Sequence, residues 1–246
     1  MGLVSDLRVL YHMAVTPVRG ETHADRLEAF YRGQSGAYDD FRKRLLHGRE
    51  EMLAALELPE GGRWLDMGGG TGHNVEAFGD RRASLAEVTI VDLCPSLLKV
   101  ADQRIQAHGW TNVRTVAADA CTYAHASGAV DAITFSYSLT MIPNWFQALR
   151  RAFDQLKPGG RIGVVDFYIS RKWPASNMRR HSAFQRFLWP TWFGFDNVFL
   201  SPDHLPMLES LFVTERLEER LGRVPYLLGL KARYYIYVGR KSAESA

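Results

Sequence analysis

Four glycines in five positions, Gly68-Gly69-Gly70-Thr71-Gly72, follow directly on the apolar run Arg63 to Met67 and lead into a helix-compatible segment, His73 to Phe78. Glycine loses more backbone freedom on folding than any other residue, so the cluster is costly unless bare backbone is needed there. A strand turning sharply into a helix at the carboxyl edge of a sheet is where α/β folds bind ligands. A dinucleotide grip spaced from Gly68 and Gly70 needs its third glycine at His73, which disfavours a pyrophosphate ligand. With no Gly-Lys-Ser/Thr after the turn, a P-loop is excluded.

The rest of the chain repeats this unit. Val88 to Val91 reads as a strand ending in Asp92, and Pro95 suits the first turn of a helix running to Ala107. Val113 to Ala117, Ala129 to Phe135 and Arg161 to Phe167 read as further strands, the last introduced by Lys157-Pro158-Gly159-Gly160. The alternation predicts a parallel, doubly wound α/β sheet. Asp203 to Leu211 reads as a helix, and Phe212 to Arg220 with Ala232 to Gly239 as an antiparallel hairpin at the end of the sheet. Ahead of the core, Leu3, Leu7, Leu10, Tyr11 and Ala14 predict a short amphipathic helix, and His23 to Glu57 a helical region interrupted at Gly33 to Gly36. The expected organisation is an N-terminal helical lid segment, 1–60, and a ligand-binding domain, 61–246, carrying an insert at 169–200.

Three acidic residues each end or follow a strand of this sheet: Asp66, Asp92 and Asp119. A carboxylate at the end of the second strand can accept both hydroxyls of a ribose, and Asp119 after the third can accept from an adenine amino group. Together with the glycine turn they point to a nucleoside ligand. The pieces Asp66-Met67-Gly68-Gly69-Gly70-Thr71-Gly72, Val91-Asp92-Leu93, Ala118-Asp119-Ala120 and Leu156-Lys157-Pro158-Gly159-Gly160 resemble the class I S-adenosylmethionine-dependent methyltransferases over about residues 63–167. That resemblance implies a Rossmann-like α/β fold, a seven-stranded, mostly parallel sheet with an antiparallel last strand and helices on both faces. It implies S-adenosylmethionine as cofactor and S-adenosylhomocysteine as product. Gly68 and Gly70 would approach the methionine part, Asp66 its amino group, Asp92 the ribose and Asp119 the adenine, with Leu93, Ala120 and Ser136 also in the cofactor site.

A narrower resemblance covers about His23 to Leu211. Phe30-Tyr31-x-x-Gln34-x-x-x-Tyr38-Asp39-x-x-Arg42, Leu46-His47-Gly48-Arg49 and Phe135-Ser136-Tyr137-Ser138-Leu139-Thr140-Met141-Ile142-Pro143 look like the betaine-lipid N-methyltransferases, which methylate diacylglycerylhomoserine three times. Under this resemblance the acceptor is a lipid headgroup amine. Phosphatidylethanolamine or another lipid such as a quinone precursor is the alternative. The intact set Asp66, Gly68, Gly70 and Asp92 argues against a catalytically silent nucleotide- or membrane-binding module.

Methyl transfer from a sulfonium to an amine is an in-line displacement that needs alignment, a desolvated cavity and a neutral amine. Aromatic faces stabilise the cationic charge as it moves, and Tyr137 and Tyr38 are the candidate catalytic residues. Tyr38, Arg42, His47 or Arg49 can meet the methionine carboxylate, and the proton of the acceptor ammonium can go to Tyr137, His73 or water.

Charge locates the partner. Across 246 residues the net charge is only +3, too little to argue for nucleic acid. Residues 166–200 hold Arg171, Lys172, Arg179, Arg180 and Arg186 against Asp166 and Asp196, interleaved with ten aromatics. Cations among rings suit a lipid–water interface. Arg179 and Arg180 can clamp a substrate carboxylate, with Trp192 beside them. The expectation is peripheral contact with the inner face of the membrane from the cytoplasm, a lipid substrate, no nucleic acid, and room for a partner enzyme of the same lipid pathway. Cys94 and Cys121 read as inert buried thiols, and no metal is expected.

Overall fold

The computed structural model of the chain describes residues 21–31, 45–195, 197–224 and 229–243. The helix expected over residues 3–14, and Tyr38 and Arg42, lie outside the described residues.

Seven strands form one sheet: β1 (Arg63–Met67), β2 (Glu87–Asp92), β3 (Val113–Ala117), β4 (Val130–Ser136), β5 (Leu156–Phe167), β6 (Val213–Arg223) and β7 (Lys231–Arg240). Their order is β3-β2-β1-β4-β5-β7-β6. Pairings from β3 through β5 are parallel, and β7 is antiparallel to both β5 and β6. The expected hairpin therefore forms with its second strand inserted next to β5 and its first at the sheet edge. Val88, Ile90 and Val91 in β2 and Ile133 in β4 are fully buried, as a strand covered on both faces requires.

Successive strand residues point to opposite faces, and two apolar cores follow from that alternation. One contains Trp64, Ile90, Val165 and Ile236, the other Leu65, Val91, Val164 and Tyr235. Described helices are α1 (His23–Tyr31), α2 (Arg49–Ala55), α3 (His73–Phe78), α4 (Pro95–His108), α5 (Trp145–Gln155), α6 (Ala183–Gly194) and α7 (His204–Leu211). The first core takes Met52 and Leu53 of α2, Val75 and Phe78 of α3, and Trp189 and Phe193 of α6. The second takes Ala148, Leu149 and Ala152 of α5 with Leu205 and Leu208 of α7. Helix α4 begins with proline at its first positions and stops at Gly109 in the left-handed conformation.

The insert at 169–200 is ordered by local chemistry. Ser182 and Gln185 form a reciprocal capping box that starts α6. The insert also crosses the sheet edge, since Met178 packs on the second core and Trp189 on the first. No described helix is long and apolar enough to cross a membrane.

Candidate active site

A cleft at the carboxyl ends of β1, β2 and β4 encloses about 830 Å³, part of it open to solvent. Its position follows from the parallel strands β1 to β5, which deliver their following loops to this edge.

The glycine turn is shaped for close approach. Gly68 has φ 66°, and a Cβ there would lie 2.5 Å from the Cβ of Ser138. A Cβ at Gly69 would lie 2.6 Å from Oδ2 of Asp66. No side chain fits at either place, so bare backbone at Gly68 and Gly70 lines the cleft. The N–H groups of Gly68 and Gly69 donate to the Val91 carbonyl at 2.8 and 3.2 Å, tying the turn to β2.

Asp92 links two elements. Its Oδ2 accepts the Gly70 N–H at 2.8 Å and its Oδ1 the Cys94 N–H at 2.9 Å. Asp119 Oδ1 accepts the Cys121 N–H at 2.8 Å, and Leu93, Asp119 and Ala120 line the same cleft. A cradle free of side chains beside two carboxylates has the donors and the space that S-adenosylmethionine would need.

Asp66 is not at the cleft surface. It is fully buried beneath the turn, with Oδ1 accepting from Asn74 Nδ2 at 2.8 Å and Thr134 Oγ1 at 2.7 Å. Burial raises its pKa to about 6, against the pull of those two hydrogen bonds and of Arg49. It lies under the turn and does not line the cleft, and its Oδ2 has no hydrogen-bond partner among the described residues. Arg49 donates from Nε to Ser136 Oγ at 3.0 Å, and neither residue lines the cleft.

Tyr137 lines the cleft with φ 53°, a left-handed conformation unusual for a bulky residue. Its N–H donates to Val165 O at 2.8 Å, its hydroxyl to His47 O at 2.6 Å, and its ring lies 4.8 Å from that of Phe167. Burial holds its pKa well above the usual tyrosine range. A neutral hydroxyl already donating to a carbonyl is a poor proton acceptor, which removes Tyr137 from that role while leaving its ring at the site. His73 pairs through Nδ1 with Glu76 at 3.2 Å and does not line the cleft. His47 turns its ring onto Tyr234, 5.9 Å between centroids, and so does not face the cleft.

The expected substrate clamp is elsewhere. Arg179, Arg180 and Trp192 do not line the cleft. The Arg179 backbone N–H bonds Glu219, the Arg180 guanidinium lies 4.2 Å over the Trp173 ring, and Trp192 packs on the first core.

Leu27 and Asn144, which no sequence motif marks, line the cleft, and so does Cys121, expected only as a buried thiol. Leu27 arrives because Glu28 accepts from Ser96 N at 3.2 Å and Cys94 Sγ at 3.2 Å, pinning α1 on the start of α4. A glutamate partnered 68 residues away leaves no local pattern. The Cys121 thiol is pushed up to about 12 by burial. Thr140 is fixed from behind, its N–H and Oγ1 donating to the buried Asp166 at 3.1 and 2.8 Å.

The sequence profile of the ubiE/COQ5 methyltransferase family matches residues 46–190. The ubiquinone/menaquinone biosynthesis C-methyltransferase UbiE of Cronobacter sakazakii is 27% identical over 171 residues, 67% of this chain and 68% of that protein. UbiE of Rhizobium meliloti is 34% identical over 122 residues, covering 48% and 47%. In fold, a Bacillus halodurans protein described as a putative methyltransferase superposes with a TM-score of 0.63 at 19% identity, over 79% of this chain and 98% of that one. Phosphoethanolamine N-methyltransferase 2 of Haemonchus contortus, in complex with S-adenosyl-L-methionine, gives 0.68 at 16% identity, over 91% of this chain and 60% of that one.

Proposed function

The chain belongs to the ubiE/COQ5 methyltransferase family and uses S-adenosylmethionine, and on that premise we propose that its acceptor is the headgroup amine of a membrane lipid, methylated successively, with diacylglycerylhomoserine as the substrate. The observation that carries the lipid acceptor is the outer face of α6. Phe184 and Phe187, with Phe195 just past its end, are 65–72% exposed while Trp189 and Phe193 fill the core beneath. Soluble proteins rarely leave such a patch uncovered unless it meets a partner or a membrane. Phe199, 61% exposed, donates its N–H to Thr140 O at 2.7 Å, so the aromatic surface reaches the segment that lines the cleft. Arg186 on the same helix adds a cation suited to anionic lipid. This surface supports a peripheral protein working at the inner, cytoplasmic face of a membrane.

When bound, S-adenosylmethionine supplies a methyl group on a positively charged sulfur. The backbone at Gly68 and Gly70 with the carboxylates of Asp92 and Asp119 orients it, while Tyr137, Met141 and Ile142 keep the reacting end poor in water. The Tyr137 ring offers a face to the cationic charge as it passes to nitrogen. At each step the acceptor ammonium gives its proton to water first, and the neutral amine so formed attacks the methyl carbon as the C–S bond breaks, leaving S-adenosylhomocysteine. Carbon methylation of a phenolic ring, by contrast, calls for a placed base, and the Tyr137 hydroxyl is already committed to His47.

The names of the relatives favour a second reading, carbon methylation of a quinone precursor. Vesicles containing diacylglycerylhomoserine, phosphatidylethanolamine or a demethylated quinol, each incubated with radiolabelled methyl donor, separate the readings. Label should enter the homoserine lipid in mono-, di- and trimethyl forms. Label only in phosphatidylethanolamine, or only in the quinol, rules the proposal out.

A further inference from the structure

A second groove, of about 940 Å³ including its open mouth, lies between the segment after β5 and helix α7 and shares no lining residue with the cleft. Its floor is apolar and closed: Tyr168, Ile169 and Leu205 are at most 7% exposed. Trp173, 70% exposed, stands at its lip with the Arg180 guanidinium stacked on its ring.

Three charged side chains line it, and their partners differ. Arg171 is held by Asp203, Nε to Oδ1 at 2.8 Å, and is neutralised there. The Arg179 guanidinium makes no hydrogen bond or ion pair among the described residues, since only its backbone N–H is engaged, by Glu219. Glu209 accepts a single bond, from Asn177 Nδ2 at 3.1 Å, at Oε1. Among its lining side chains the groove thus offers one cation and one carboxylate without an ion pair among the described residues, above an apolar floor, with the Arg180 guanidinium stacked on Trp173 at the lip.

We propose that this groove is a second lipid site, which holds one acyl chain on its floor and a zwitterionic headgroup between Arg179 and Glu209. A simple anion would meet Glu209 and a simple cation would meet Arg179, so only a headgroup with both signs satisfies the pair. A guanidinium accepts a carboxylate or a phosphate through paired N–H donors, and a carboxylate attracts an ammonium. The site does not depend on which acceptor is methylated in the cleft. It anchors the protein on bilayer lipid at a point apart from the reacting headgroup.

The purified full chain is titrated with four single-chain detergents of equal chain length, each below its micelle concentration. These are dodecyl-N,N-dimethylglycine, dodecylphosphocholine, dodecyltrimethylammonium and dodecanoate. Calorimetry gives affinity and stoichiometry, and tryptophan fluorescence compared with Trp173→Phe reports occupancy at the lip. The two zwitterions should bind at one molecule per chain, tighter than either singly charged detergent by about tenfold, and Arg179→Gln and Glu209→Gln should each lose that advantage. The tighter of the two zwitterions identifies carboxylate or phosphate as the anionic partner. Unchanged S-adenosylhomocysteine affinity shows that the variants are folded. Equal binding of all four detergents to the unaltered chain, or zwitterion binding without a Trp173 signal, overturns the site.

Discussion

At the scale of single residues, the cleft works through groups whose bonds are already made. Asp92 holds the glycine turn and the start of α4 with its two oxygens. Asp92→Asn puts an N–H₂ against one of those N–H donors, and S-adenosylhomocysteine affinity measured by calorimetry should fall about tenfold or more. Tyr137 acts through its ring, because its hydroxyl is spent on His47. Tyr137→Phe should keep kcat within about threefold, whereas Tyr137→Leu should lower it about tenfold with donor affinity unchanged. A larger loss in Tyr137→Phe would mean that the hydroxyl takes part. The positions of Gly68, Asp92 and Asp119 were readable because each obeys a local rule, a side-chain-free turn or an acid ending a strand. The depth of Asp66 was not. It follows the same rule as Asp92, and only the packing of Asn74 and Thr134 around it removes it from the cleft.

At the scale of elements, α6 carries apolar residues on two faces for two purposes. Trp189 is 2% exposed and lies among Phe193, Phe167 and Tyr137, whose rings run in sequence at 4.6 and 4.8 Å. Trp189→Ala should cost about 3–5 kcal/mol in a urea melt, the range for removing a large buried aromatic. Phe184 and Phe187 bury little, so the double change to serine should alter stability by about 0.5 kcal/mol or less. It should nevertheless release the protein from anionic vesicles in a flotation assay and raise the apparent KM for lipid presented in them. Retained flotation would locate membrane contact elsewhere. The helix was hidden in the sequence because its apolar residues recur on every side, so no single stripe marks it. Helix α5, which buries Ala148, Leu149 and Ala152, was implied only by the alternation of strand and helix.

At the scale of the whole molecule, acid stability is a contest between buried groups. Burial lowers the pKa of His204 to about 3. Its unfolded form binds a proton below about 6.5, so its contribution to stability is complete above that pH and is lost as pH falls toward about 3. Asp66 and Asp166 are raised by burial to about 6 and about 7, so theirs is complete at low pH and is lost as pH rises through those values. The opposing slopes overlap in weakly acidic solution. His204→Phe removes one of them, and urea melts should show the variant gaining on the unaltered chain by about 1.4 kcal/mol per pH unit below about 6.5. Neither ring nitrogen of His204 has a hydrogen-bond partner among the described residues, so the exchange costs little near neutrality. By itself the sequence determined the parallel α/β core, the glycine turn, the two carboxylates at the cleft and the confinement of excess charge to one insert, because each is written in spacing of a few residues. Only the tertiary structure decided that Arg179 and Arg180 stand apart from the cleft, that α1 is pinned to α4, and that Arg179 and Glu209 share a groove. These depend on where a chain that crosses the sheet edge comes to rest, and that is set by packing between residues far apart in sequence.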